Sequence, residues 1–280
     1  MSWSSEQQSI QFPSPSLTRH SLWRVPLSIA QVTFQEVLRD KVLTQVFVLT
    51  GLLFLATALA AQISPAMTSR ILADFSWGTL LISSLVLAIS QGAIALKKEV
   101  DRRTLFVVLS RPIYRSQWLL GKFLGLSGVI LLNGTLFATL MEALLYLWVD
   151  SNSFIAPLST RVGADMLVIV QSLLLVSIAL FFSMMTSASL AIALTFGLYL
   201  IGSSHSQIVW LINQNQGAPG GILRDSVFLI PNFELFHLSR YLTYGVPVDG
   251  IFLLTRAAYG ILWCVLFLTL GGFILRRREF

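Results

Sequence analysis

The sequence predicts an all-α polytopic membrane protein with six transmembrane helices, and three observations carry that expectation. First, 55% of the 280 residues are hydrophobic and only 11% are charged, with a mean hydropathy of +0.76; soluble domains carry roughly 25% charged residues. Second, apolar runs recur that are longer than the ~20 residues needed to cross ~30 Å of hydrocarbon. Third, the basic residues flank those runs, so the net charge of +6 reads as membrane orientation and not as nucleic-acid binding.

Residues 1–41 form the first unit. The opening 23 residues are polar, with Pro13 and Pro15, and read as a loose tail. The first forty residues hold no apolar core followed by a small-residue cleavage site, so no signal peptide is expected. From 26 to 41, Leu27, Ala30, Phe34, Val37 and Leu38 recur at helical spacing, with Gln31, Gln35, Glu36, Arg39 and Asp40 on the other face. That pattern predicts an amphipathic helix lying on the membrane surface, its apolar stripe toward lipid or the first span.

The transmembrane unit follows over 42–275. Spans are expected at 42–62, 71–96 and 118–148, the last long enough to tilt or to extend beyond the bilayer. Residues 166–212 are nearly uncharged and would reach ~70 Å as one helix, so the chain must turn back. The Ser and Thr residues at 183, 186, 187 and 189 mark the turn, giving spans at 166–185 and 188–212. The sixth covers 251–275, and Arg276, Arg277 and Arg278 open a basic C-terminus at 276–280.

Fourteen of the 19 Lys and Arg fall on the side that holds the tail, residues 97–122 and the C-terminus. Arg70, Arg161, Arg224, Arg240 and Arg256 fall on the other. The positive-inside rule therefore predicts that both termini are cytoplasmic. Residues 213–250 become the one long outer connection. It opens as a Gly- and Pro-rich loop, but 222–242 is apolar and is broken by Pro231. It predicts a re-entrant pair of short helices over 227–238, broken near Pro231, because backbone at membrane depth must be helical or buried in protein.

Catalytic constellations are missing from the sequence. Gly121-Lys122 lacks the glycines of a phosphate-binding loop, and His20, His205 and His237 form no metal-binding pattern. A Ser–His pairing through His205 would arise by chance among so many serines. No two spans are expected to carry acids at matching depth, and Cys264 is alone in an apolar run. No enzyme, metal or cofactor is therefore expected in this chain. Glu142 is the single acid well inside an expected span, which makes it a candidate for the transport pathway or for a bond to a neighbouring helix. Gly121, Gly125 and Gly128 make one smooth helix face suited to close packing. Asn133-Gly134-Thr135 matches a glycosylation sequon but lies mid-span, beyond the reach of a transferase.

The most charged segment, 97–122, carries the strongest motif. Its charges give way to an apolar cluster ended by Ser110-Arg111-Pro112, which predicts a short helix that Pro112 terminates. The segment resembles the first cytoplasmic loop of type-2 ABC exporter permeases through Glu99, Arg102, Thr104, Leu105, Leu109, Ser110, Pro112, Arg115, Leu120, Gly121 and Lys122. Arg103 stands where that family usually has Gly. The layout of surface helix, six spans and re-entrant segment is similar too. The Arg-rich ending resembles the permeases grouped with multicopper-enzyme maturation systems.

That resemblance implies a permease subunit of the bacterial cytoplasmic (inner) membrane, working as a dimer with a second permease subunit on two separate ABC ATP-binding subunits. ATP and Mg would be bound by those partners. It makes residues 97–117 a coupling loop with a coupling helix at 99–109. Leu105, Phe106 and Val108 would give buried area, and Glu99, Asp101, Arg102 and Arg103 the register, with Thr104 and Leu109 also in the coupling helix. Two other readings stay open. A secondary transporter or channel would want several ionisable groups at mid-depth, and a non-transporting membrane scaffold would keep the same helices.

Overall fold

In a computed structural model the chain is described over residues 21–63, 68–101, 115–148, 156–214 and 229–277, and these residues contain helices and no strand. In order, the helices are α1 (Ser21–Leu38), α2 (Lys41–Ile63), α3 (Thr68–Asp101), α4 (Arg115–Trp148), α5 (Leu158–Met185), α6 (Ala188–Ser203) and α7 (His205–Gln214). A 3-10 turn (Phe233–Phe236), α8 (Ser239–Tyr244) and α9 (Gly250–Arg277) complete them. Five helices are long and apolar enough to span a membrane: α2, α3, α4, α5 and α9. The end where α3 stops and α4 starts is called here the basic end, and the opposite one the cap end.

α5 is the axis of the bundle. Leu174, Leu175, Val176, Ile178, Ala179 and Leu180 are all at most 1% exposed, so this helix is buried on every side. It packs against α3, α9, α4 and α6. The outward surface is greasy instead, with Leu52 of α2 62% exposed and Leu254 and Leu262 of α9 each 70% exposed. In water such a surface would drive aggregation; against lipid tails it costs nothing. Many hydroxyls in the core return to their own helix: Thr50, Ser172 and Thr195 each donate to the carbonyl four residues earlier.

α1 does not lie with its apolar stripe toward lipid or the first span, as the periodicity predicts. It runs beside α4 in the same direction. Ile29 and the Pro26 carbonyl meet Gly121, Thr33 and the Ala30 carbonyl meet Gly125, and the Phe34 ring meets Gly128. The inward stripe is thus the buried Pro26, Thr33 and Val37 with the half-buried Ile29, while Leu27 and Leu38 stay 59% and 41% exposed. Three glycines on one face remove the side chains that would hold the helices apart, so this face of α1 packs closely on α4. A lone helix periodicity cannot name its partner.

The single span expected at 188–212 is broken. α6 has 16 residues and reaches ~24 Å, short of the hydrocarbon core. After Ser204 the chain bends by 62° into α7. The cause lies in the cap that sits against it. Gly202 faces the Pro231 carbonyl and the Phe233 ring so closely that no Cβ would fit. Beyond the bend, the Glu234 carboxylate accepts from the Ser206 amide at 3.1 Å and from its hydroxyl at 2.9 Å. An acid thus satisfies an orphan donor in the first turn of α7.

The re-entrant pair expected over 227–238 is described only from residue 229, its start lying outside the described residues. Among the described residues, two helical pieces follow Pro231 and meet at His237-Leu238; the Asn232 side chain caps the first by accepting from the Glu234 amide at 3.0 Å. Phe233, Phe236 and Leu238 are fully buried. The Tyr259 hydroxyl accepts from the Asn232 amide at 2.9 Å, the Arg256 guanidinium donates to the Leu235 carbonyl, and Gly245 closes α8 with φ 63°.

The glycine packing can be tested with a matched pair. A Cβ at Gly125 would come within 2.6 Å of Thr33 and 2.7 Å of backbone, whereas one at Gly51 meets nothing within 4 Å. Gly125→Ala is expected to lose about 1–3 kcal/mol by overpacking, while Gly51→Ala is expected to gain up to about 1 kcal/mol from helix propensity. Thermal unfolding in detergent should show the two shifts in opposite directions.

Candidate functional site

The coupling segment falls mostly outside the described residues: Arg102, Arg103, Thr104, Leu105, Phe106, Val108 and Leu109 all do. Glu99 lies in the last turn of α3, which runs without interruption from Thr68 to Asp101. The charged start of the expected coupling helix is therefore a continuation of the second span, not a separate helix. α3 and α4 each have 34 residues, ~51 Å of helix against ~30 Å of hydrocarbon, and their ends Asp101 and Arg115 flank the segment.

On α4 the charges stop at Lys122 and resume at Glu142, twenty residues or ~30 Å later. Both are met by partners from other helices. Lys122, only 4% exposed, lies 3.8 Å from Glu36 of α1. That contact sits beside the glycine groove and joins α1 to the helix that leads out of the coupling segment. At the cap end, Glu142 lies 2.9 Å from Arg161 of α5, with side chains 25% and 18% exposed.

Here the sequence reading needs correction. Glu142 is not the single acid of its depth, for Asp165, one turn beyond Arg161 on α5, lines the same cavity. Placing the start of the fourth span at residue 166 hid both groups, since α5 begins eight residues earlier at Leu158. A helix-period check on Arg161 and Asp165, four apart and followed by an apolar run, would have found them. The cavity, of about 30 Å³, is also walled by Ser76, Trp77, Leu80, Met141 and Leu242. It is polar on one side and has room for ordered water. The cluster ties α4 to α5 across a cavity large enough to admit water. The guanidinium is committed to Glu142, which makes the pair an ionic clamp between α4 and α5.

The cap closes over this cluster. Thr243 donates to Asp74 at 2.6 Å, and the His237 ring meets the Trp77 ring edge-on at 5.5 Å between centroids. Burial pushes the His237 imidazole below its ordinary 6.5. Hydrogen bonding by Ser206 holds Glu234 below the ordinary 4.5.

Two outcomes follow for these groups. Both bind protons less readily in the folded chain than in the unfolded one. Their stabilisation is therefore full above the ordinary values and lost as pH falls, through His237 below 6.5 and then through Glu234 below 4.5. Thermal unfolding scanned across that window should fall in two stages, with His237→Gln removing the upper and Glu234→Gln the lower. Separately, Glu142→Gln should cost about 1–3 kcal/mol at neutral pH, because it leaves the Arg161 charge without its partner; Glu142→Gln combined with Arg161→Met should cost less than Glu142→Gln alone.

A model of the ABC-2 family transporter protein matches residues 27–280. No curated protein matches the chain. With nine-tenths of its length covered by the match, the chain belongs to the ABC-2 transporter family.

Proposed function

We propose that this chain, a permease subunit of an ABC transporter, exports its cargo on the energy of separate ATP-binding subunits that dock on residues 99–109. The observation that carries the reading is the pair of over-long helices. α3 and α4 outrun the hydrocarbon and bring Asp101 and Arg115 to the two ends of the motif-bearing segment. A charged loop between such helices has little use for the apolar Leu105, Phe106, Val108 and Leu109 unless another protein covers them. Glu99, Arg102, Arg103 and Thr104 would set the register of that contact.

In this reading ATP and Mg are held by the partner, and closure of its subunits pushes the loop as a lever. α4 passes the displacement on as a rigid body. α1 moves with it, because Gly121, Gly125 and Gly128 seat it against the first turns of α4 and Glu36–Lys122 ties it there. Both termini and the loop face the cytoplasm, supported by the charge asymmetry, and the membrane is the bacterial inner membrane. A second permease subunit completes the pathway, and the Arg-rich ending supports kinship with the permeases of multicopper-enzyme maturation systems.

The test is a pull-down of the ATP-binding subunit with the membrane level of this chain measured in parallel. Burying one large apolar side chain is worth roughly 1.5–3 kcal/mol, about tenfold or more in affinity. Leu105→Asp or Phe106→Ala should release the ATPase from a chain present at normal level, and Arg103→Ala should do less. Full ATPase binding by a stable Leu105→Asp chain would overturn the coupling assignment.

A further inference from the structure

Leu80 of α3, Phe137 of α4 and Val168 of α5 pack in one cluster. α4 runs antiparallel to α3 and α5, so one turn toward the basic end brings Ser84, Asn133 and the pair Gln171 and Ser172 into the next layer. All four are at most 2% exposed. Ser172 donates to the Val168 carbonyl at 2.8 Å. The Ser84 hydroxyl, both polar atoms of the Asn133 amide and the Gln171 carbonyl oxygen have no hydrogen-bond partner. Asn133 stands eleven residues from Lys122 and nine from Glu142, roughly 16 and 14 Å along α4. The layer is thus at the middle of the charge-free stretch and uncharged, and apart from Ser172 and the contact of the Gln171 side chain with the Tyr199 hydroxyl it is unsatisfied.

Polar atoms buried without partners cost stability, and leucine at these positions would avoid the cost. Four such atoms gather at one depth on three helices. Many other core hydroxyls, Thr50, Ser177 and Thr195 among them, are satisfied within their own helices, Thr33 and Ser203 being exceptions outside this layer. We infer that α3, α4 and α5 part at this layer during the transport cycle and there receive the hydroxyl or amide groups of the cargo. The inference rests on the transport reading above and names a cargo class for it. Ser84 can donate and accept, Asn133 can do both, and the Gln171 oxygen accepts. No counter-charge is present, so a bare ion would lose its hydration uncompensated, whereas a neutral hydrogen-bonding group would not.

The test has three arms. In the purified chain, Asn133→Leu and Gln171→Leu should unfold at the same temperature as the unaltered protein or higher. A lower temperature would mean that the groups are partnered at rest, which overturns the inference. In the complex with its ATP-binding subunit, Asn133→Cys should react with N-ethylmaleimide during ATP turnover and not without ATP, while Ile178→Cys stays unreactive throughout. No reaction at Asn133→Cys in a complex that hydrolyses ATP, or equal reaction at Ile178→Cys, overturns it. Octyl glucoside should slow the Asn133→Cys reaction and octyltrimethylammonium should not; protection by the cation instead overturns the cargo class. Failure of any ATP-binding subunit to associate is a different result, seen in the pull-down itself, and it removes the transport reading together with this inference.

Discussion

A charge cannot enter hydrocarbon without a partner, and this one constraint sets the length and position of nearly every helix. α4 is free of charge from Lys122 to Glu142, and α9 from Arg256 to Arg276, twenty residues in each case. α3 is free from Asp74 to Lys97. At 1.5 Å per residue each stretch spans about the ~30 Å of the hydrocarbon core. The groups that end them are engaged where their side chains are described: Lys122 with Glu36, Glu142 with Arg161, Asp74 with Thr243, and Arg256 with the Leu235 carbonyl and the Phe252 ring. The bundle is clamped at both ends and greasy between.

Helices that depart from that length are the ones with something to do. α3 and α4 are too long, and the surplus carries their ends out to the coupling segment. α6 is too short, and the shortfall is made up by a bend, an amphipathic α7 and a cap whose Phe233 and Phe236 fill the space behind Gly202 and Gly260. A backbone broken at that depth would be untenable against lipid. It is tolerated because Glu234 and Tyr259 meet the exposed amides of Ser206 and Asn232.

The class of fold was fully legible in composition and run length, because both respond to the bilayer and not to any neighbour. Contacts were less so. The stripe on α1 was visible, but its partner was not, since lipid and a glycine groove reward the same apolar residues. Glu142 was visible as an expensive carboxylate, while Arg161 and Asp165 were hidden by a boundary drawn at the next uncharged residue. The cap showed its apolar content but not the turn at Phe233–Phe236, which depends on the Asn232 side chain capping it. Asn133 was read only as part of a sequon. Nothing in one sequence says that Ser84 and Gln171, 49 residues before it and 38 after, share its layer.

The seat of α1 has a consequence for how the chain is made. α1 leaves the ribosome about ninety residues before Gly121 to Gly128, so at ~5–20 residues per second it waits roughly 5–20 s for its groove. Through that interval its apolar stripe has only the bilayer surface to cover it, the placement that its periodicity alone suggests. The nascent helix therefore begins as a surface-bound element and becomes an intramolecular one when the third span inserts. The order of synthesis gives one amphipathic face two successive partners.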